Sequence, residues 1–424
     1  MLNHMKFRHK SSKPEIKKQS SISDALKAMN KSKKAMSPTR YEDINQSLAL
    51  MCALDLRPIS LVASRGFLAF VQKLNPDYKV PCRKTVTKHL LHLHDVGKKE
   101  LISLMDGSPS VSFTTDLWTS AATRAYITVT GHYITSEWSM KCSILATRAL
   151  DERHTGENIA EALLNIAEEF KIHKLQSIVT DNASNMVAAA EHGSMARWPC
   201  FSHTLQLAVT EGLKGAAIKD ALAFARKLVG HFSHSSMATE ALKQKQTEIC
   251  VKKPLTAVQD VCTRWNSQYF MAKRLIELRL AIFAVLWDED VTKPSVRSSL
   301  DLKDNTWKIL EDLIPTLEPL ATATELLTKE DEVTISQIYV VLEWLLGTLE
   351  TSDDDSTAIK KLKKDISSAL KSRFGVDENG IPKQENLTNL AMTAMALDPR
   401  HKSLKFLSEG QHKIVESHME MLVN

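Results

Sequence analysis

The sequence predicts an α/β core joined to all-α segments, and three observations carry that expectation. Three runs, SVSFTTDLWT, AYITVTGHYIT and SMKCSILATRAL, are rich in Val, Ile, Thr and aromatic residues and are separated by polar turns, as consecutive antiparallel strands are. The segments on either side repeat apolar residues at a spacing near 3.6, the period of an amphipathic helix. A helical stretch, TGENIAEALLNIAEEF, follows the third run and leads into a short apolar run, LQSIVTDN, so helix and strand alternate.

Taken in order, a helical pattern begins at Tyr41 and stops at Arg57-Pro58, because a residue before proline is pushed out of the helical region. GFLAFVQKLN reads as a second helix ended by Pro76, and KTVTKHLLHLHDVGKKELISLM as a third. After the three strands, Thr155 is the expected cap of the next helix and Glu157 sits in its first turn, where a negative charge suits the helix dipole. The strand LQSIVTDN follows, then helical HTLQLAVTEGL. Beyond Asp260 four long segments, SQYFMAKRLIELRLAIFAVLW, TWKILEDLIPTLEPLATATELL, ISQIYVVLEWLLGTLE and STAIKKLKKDISSALKSRF, all read as helix. The acidic run Asp353-Asp354-Asp355 and the polar stretch DENGIPKQEN read as exposed loops. The expected organisation is an arm over 1–40, a small helical domain over 41–106, an α/β core over 107–262 and a helical domain over 263–424.

Composition excludes the special classes. With 424 residues, 43% hydrophobic and 25% charged, the chain has ordinary values for a globular protein with two or three cores. It shows no apolar run near 18 residues and no secretory pattern, which points to an intracellular protein with no membrane partner. Six cysteines without a close pair argue against a disulfide framework and against a self-contained zinc ribbon. Residues 1–40 hold eleven Lys and Arg against Glu15 and Asp24, so the remainder carries −4 within a total of +5. A Lys/Ser-rich arm of this kind favours polyanions or a nuclear import receptor, or is simply solvated.

Asp116 and Asp181 each end or interrupt an apolar strand pattern, in VSFTTDLWTS and SIVTDNASNM. Two such carboxylates on neighbouring strands suit Mg²⁺ or Mn²⁺, which would activate a hydroxyl and stabilise a phosphoryl transition state. Taken singly, each reads first as an ordinary turn or cap residue. At the start of the chain His4 and His9 have the H-x4-H spacing that closes a Cys/His zinc site, with no cysteine pair before them.

Three antiparallel strands with an acid on the first, a helix, and a parallel-type strand ending in an acid resemble the ribonuclease-H-like fold of DDE transposases and integrases. The words FTTDLWTS, IVTDNASNM, CFSHTLQLAV and DVCTRWNSQYFM stand in the order and approximate spacing of the hAT (hobo/Activator) transposase superfamily, particularly its domesticated BED-type zinc finger relatives. LRPISLVASRGFLAFVQKLNPDYKVPCRKTV is similar to the family's preceding helical segment, and MALDPRHKSLKFL to its LDPR word. The resemblance implies a ribonuclease-H-like core interrupted by a large helical insertion. It makes Asp116 and Asp181 the first two metal-binding acids and His203, in the Cys200-x2-His203 word, a DNA-positioning residue. It also matches Trp265, beside Arg264, to a tryptophan that stacks on a flipped base. Against these roles stand a buried Cys200 with His203 merely starting a helix, and a Trp265 packed in the core.

The departures matter as much. The family's third acid, a glutamate after the helical insertion, and its C-terminal dimerisation segment are not found, and Glu318 and Glu325 read as insertion residues. LNHMKFRHK is similar to the end of a BED finger whose cysteines would lie upstream, so the chain reads as clipped at both ends. Zinc then belongs to full-length relatives, and His4 and His9 are an incomplete pair. Lys6, Arg8 and Lys10 beside them are expected to contact DNA. The expected function is a nuclear, DNA-associated regulator of transcription or chromatin that does not catalyse, with homodimerisation in the full-length form. The alternatives are a Mg²⁺-dependent transposase fragment and a protein-interaction scaffold linked to SUMO transfer.

Overall fold

The computed structural model describes residues 36–249, 251–329 and 332–423. Two compact units divide the chain between Leu104 and Met105.

In the first unit, helix α1 (Pro38–Leu54) starts on Ser37, whose hydroxyl accepts from the Arg40 amide, with Pro38 at the position where its missing N–H costs nothing. A 3₁₀ turn (Ile59–Ala63), α2 (Arg65–Leu74) and α3 (Arg83–Asp106) follow. Leu48, Ala49, Val62 and Val86 form its small core, and the buried Tyr78 hydroxyl donates to Asn45 Oδ1 at 2.8 Å.

The second unit is mixed α/β. Strands β1 (Val111–Thr119), β2 (Ala125–Ile134) and β3 (Met140–Ala149) form an antiparallel meander, consistent with three runs rich in Val, Ile, Thr and aromatics separated by short polar turns. Helix α4 (Gly156–Glu169) then crosses the sheet, with the Thr155 hydroxyl accepting from the Asn158 amide. Strand β4 (Leu175–Thr180) lies parallel to β1, and β5 (Arg197–Pro199), reached through α5 (Ser184–His192), lies parallel to β4. The sheet order is β3-β2-β1-β4-β5. Val111, Phe113, Ile127, Val129 and Ile178 are buried on one face. At Gly156 a Cβ would come within 2.6 Å of Ala188, so glycine is what lets α4 and α5 pack this closely.

The helical part comprises α6 (Phe201–Gly212), α7 (Ala216–His234), α8 (Ser236–Glu248), α9 (Trp265–Leu286), α10 (Pro294–Leu300) and α11 (Asp304–Leu327). It continues with α12 (Ile338–Thr348), α13 (Thr357–Phe374), α14 (Leu390–Leu397) and α15 (Glu409–Val423). One continuous apolar core runs through them, from Phe201 to Val415. Trp307, Leu310 and Leu313 on α11 face Leu275, Leu278 and Ile282 on α9 within that core. The LDPR word forms a tight turn in which Asp398 accepts from the Arg400 amide and guanidinium and from Ser336 Oγ at 2.7 Å. Among the described residues no helix is long and apolar enough to cross a membrane.

Candidate functional site at the carboxyl end of the parallel strands

The parallel strands β1, β4 and β5 deliver their next residues to the same end of the sheet. In the β1–β4 register Ser112 lies opposite Ser177 and Thr114 opposite Val179. The Ser177 and Ser112 hydroxyls meet at 3.1 Å, so these positions share a face. Continuing by two residues sets Asp116 alongside Asp181, on strands about 5 Å apart. Asp116 is exposed and Asp181 half-buried.

Asp181 begins a tight turn. Its Oδ1 accepts from the Ala183 amide at 3.1 Å, and its carbonyl accepts from the Thr180 hydroxyl at 2.8 Å. Arg197, the first residue of β5, completes this turn. Its Nε donates to Thr180 Oγ1 at 2.8 Å, and one terminal nitrogen donates to the Asp181 carbonyl at 2.8 Å and to Asn182 Oδ1 at 2.7 Å. Burial pulls the guanidinium pKa below its usual value, and the Asp181 charge opposes that shift. The other end of the Asn182 amide donates to Thr204 Oγ1 at 2.9 Å, and Thr204 donates to the Cys200 carbonyl at 2.8 Å. The start of α6 is thereby tied to the Asp181 turn. His203, in the first turn of α6, comes to the same end of the sheet, half-buried; Cys200 caps the helix through its backbone.

Arg264 and Trp265 are separated in role. Arg264 is exposed at the cap of α9, whereas Trp265 is only 2% exposed and belongs to the helical core. Its ring offers no surface for a base in this conformation, because the first turn of α9 packs it inward. Gln206, one turn after His203 on α6, donates to the Thr263 carbonyl at 3.1 Å and accepts from the Trp265 amide at 3.2 Å. Just upstream, the fully buried Asp260 carboxylate receives the Arg226 Nε at 2.9 and 3.1 Å and the Gln259 amide at 3.0 Å. These contacts hold the loop that presents Arg264.

The sheet carries an exposed aromatic of its own. Trp118, on the same face as Asp116 and two residues further along β1, is 42% exposed and stacks on Tyr126 with centroids 4.7 Å apart. Its indole N–H donates to Thr128, the residue paired with Asp116. The word FTTDLWTS contains Trp118, but only the strand register puts it beside the carboxylates. Gln206, Arg226, Asp260 and Arg197 carry no local signal of their roles, which come from contacts between residues 15 to 59 positions apart.

The side chains present fit a divalent ion poorly. Asp116 and Asp181 supply two carboxylates, one already turned to a backbone amide, and a guanidinium lies against the turn. Among the described residues no group of three or more His, Cys, Asp or Glu side chains is placed to hold a metal. Glu318 lies on α11 and accepts from the Tyr269 hydroxyl and Lys273, while Glu325 lies on the same helix. His4, His9, Lys6, Arg8 and Lys10 lie outside the described residues.

With that geometry in place, family models identify the class. Residues 114–193 match the ZBED1 RNase-like domain and residues 198–314 the ZBED1 RNase-like helical domain. The chain belongs to the hAT transposase-derived proteins, in the branch that includes BED-type zinc finger proteins. It is 27% identical to human zinc finger BED domain-containing protein 4 over 86% of this chain and 31% of that protein. It is 25% identical to a maize protein named as an AC transposase, over 87% of this chain and 46% of that one. Human zinc finger BED domain-containing protein 6 is 26% identical over 74% of the chain and 33% of its own length. The chain thus spans a third to a half of the length of these relatives.

Proposed function

We propose that this chain is the transposase-derived portion of a nuclear, DNA-associated regulator of transcription or chromatin, built on a ribonuclease-H-like core that does not cut DNA. The observation that carries this reading is the carboxylate end of the sheet. Two acids stand in register, an arginine is bonded into the turn beside one of them, and no third acid joins them among the described residues. Two-metal phosphoryl transfer needs carboxylates enough to hold and neutralise both ions, and this set is too small. DNA contact draws on groups at the same end, Arg264, His203 and the exposed Trp118, together with the basic residues of 1–40.

The test is Mn²⁺-dependent nicking of supercoiled plasmid by the full chain, run beside fluorescence anisotropy on labelled duplex and single-stranded DNA. Nicking at background in both the native protein and the Asp116→Ala/Asp181→Ala variant is expected, with salt-dependent DNA binding retained. Metal-dependent nicking that the double variant abolishes would establish an active transposase fragment instead.

A further inference from the structure

We infer that Arg197 is the resident cation of the Asp181 turn, so that this turn is a connected polar network and the divalent-ion affinity of the neighbouring carboxylates is set by its guanidinium. The inference deepens the non-cutting reading above, by naming the residue that keeps the ion out.

Three features carry it. First, the polar groups of the turn are bonded to one another and to Arg197. Thr180 Oγ1 accepts from Arg197 and donates to the Asp181 carbonyl; Asn182 accepts from Arg197 and donates to Thr204; Asp181 Oδ1 accepts from Ala183. An entering ion would have to break into a connected network, and partial disruption of such networks is costly. Second, the bonds from one guanidinium reach three consecutive residues, Thr180, Asp181 and Asn182, so the charge cannot swing away without releasing all of them. Third, β5 is only three residues long, and Arg197 is its first residue, opposite Ile178. That pairing delivers the cation at the level of the Asp181 turn. A fixed positive charge bonded to the Asp181 carbonyl repels a second, doubly charged cation at the neighbouring carboxylate.

The experiment is a Mn²⁺ titration of the full chain, following the free-ion signal by electron paramagnetic resonance. The native protein is expected to show no saturable site sensitive to Asp116→Asn or Asp181→Asn. Arg197→Met, which removes the charge and keeps the length, is expected to bind Mn²⁺ about tenfold or more tightly, given the charge removed. Arg197→Lys, which keeps the charge, is expected to stay near the native affinity, and Arg197→Met/Asp181→Asn to lose the gain. A native protein that binds Mn²⁺ saturably and loses it with either aspartate overturns the inference, and so does a folded Arg197→Met chain with no gain. If Arg197→Met does not fold, Arg197→Gln is read in its place with the same gain expected, and a folded Arg197→Gln chain with no gain overturns the inference. DNA binding in the anisotropy assay is read separately, so a metal-binding native chain would remove this inference and leave DNA association standing.

Discussion

Two tryptophans frame a comparison between the carboxylate end of the sheet and the start of α9. Trp118 stands 42% exposed on a strand, stacked on Tyr126 beside Asp116; Trp265 stands 2% exposed at the first turn of a long helix, inside the helical core. Both sit within words that mark the family. The sheet end spends its polar groups on short-range bonds around a turn, open on one side. The start of α9 is held by buried contacts, the Arg226–Asp260 pair and the Gln206 bracket, that fix a backbone and leave only Arg264 outside. The same residue type thus stands at the surface in one place and in the core in the other, according to which layer packs against it.

The largest effects are expected in the helical core. Trp265→Ala should destabilise the chain by roughly 3–5 kcal/mol, as large-to-small changes of buried aromatics do, measured by urea unfolding. If it leaves stability intact and lowers only DNA affinity, the assignment of Trp265 to the core fails. Asp260→Ala should cost about 3 kcal/mol in the same assay, because it leaves Arg226 partly buried without its partner. Restoring a neutral pair with Arg226→Met should recover part of that loss.

On the sheet side the expected effects move from stability to binding. Trp118→Ala should change stability by about 1 kcal/mol, far less than Trp265→Ala, since the residue is 42% exposed and lies outside the core. It should weaken single-stranded DNA binding about tenfold, within the range for one stacked base, measured by anisotropy. A Trp118→Phe variant that recovers most of the affinity would sharpen the stacking assignment, and no change in either variant would remove it.

The smallest effect is a pH dependence in the helical part. The Arg400 side chain, then its amide and the Ser336 hydroxyl, hold the Asp398 carboxyl well below the ordinary carboxylate range. A carboxyl lowered in the folded state adds stability above its unfolded pKa of about 4, and loses it as pH falls toward the folded value. The stability gap between the native protein and Asp398→Asn should therefore be full at pH 6 and narrow below about pH 4. A gap that widens on acidification would contradict the pairing.

Much of this architecture is readable in the chain. β1 and β2 show the alternation of half-buried strands, β3 and β4 read as runs rich in β-branched and apolar residues, and α4 announces itself through Thr155 and its apolar stripe. Asp116 and Asp181 were singled out on strand pattern and resemblance. β5 is not readable, because three residues, Arg-Trp-Pro, carry no period and pair only by lying next to β4. The helices α7 and α8 stand between the recognisable words of the family and carry no word of their own.

The sequence by itself determined the local elements and the identity of the words that mark the family, because periodicity and capping depend on neighbours within a turn or a strand. Only the tertiary structure decided what those words do. The β1–β4 register places Asp116 beside Asp181, β5 pairing places Arg197 against the Asp181 turn, and helical packing takes Trp265 inward while Trp118 stays at the surface. Each outcome rests on contacts between distant residues, where burial and charge are set by the partner that arrives and not by the side chain alone.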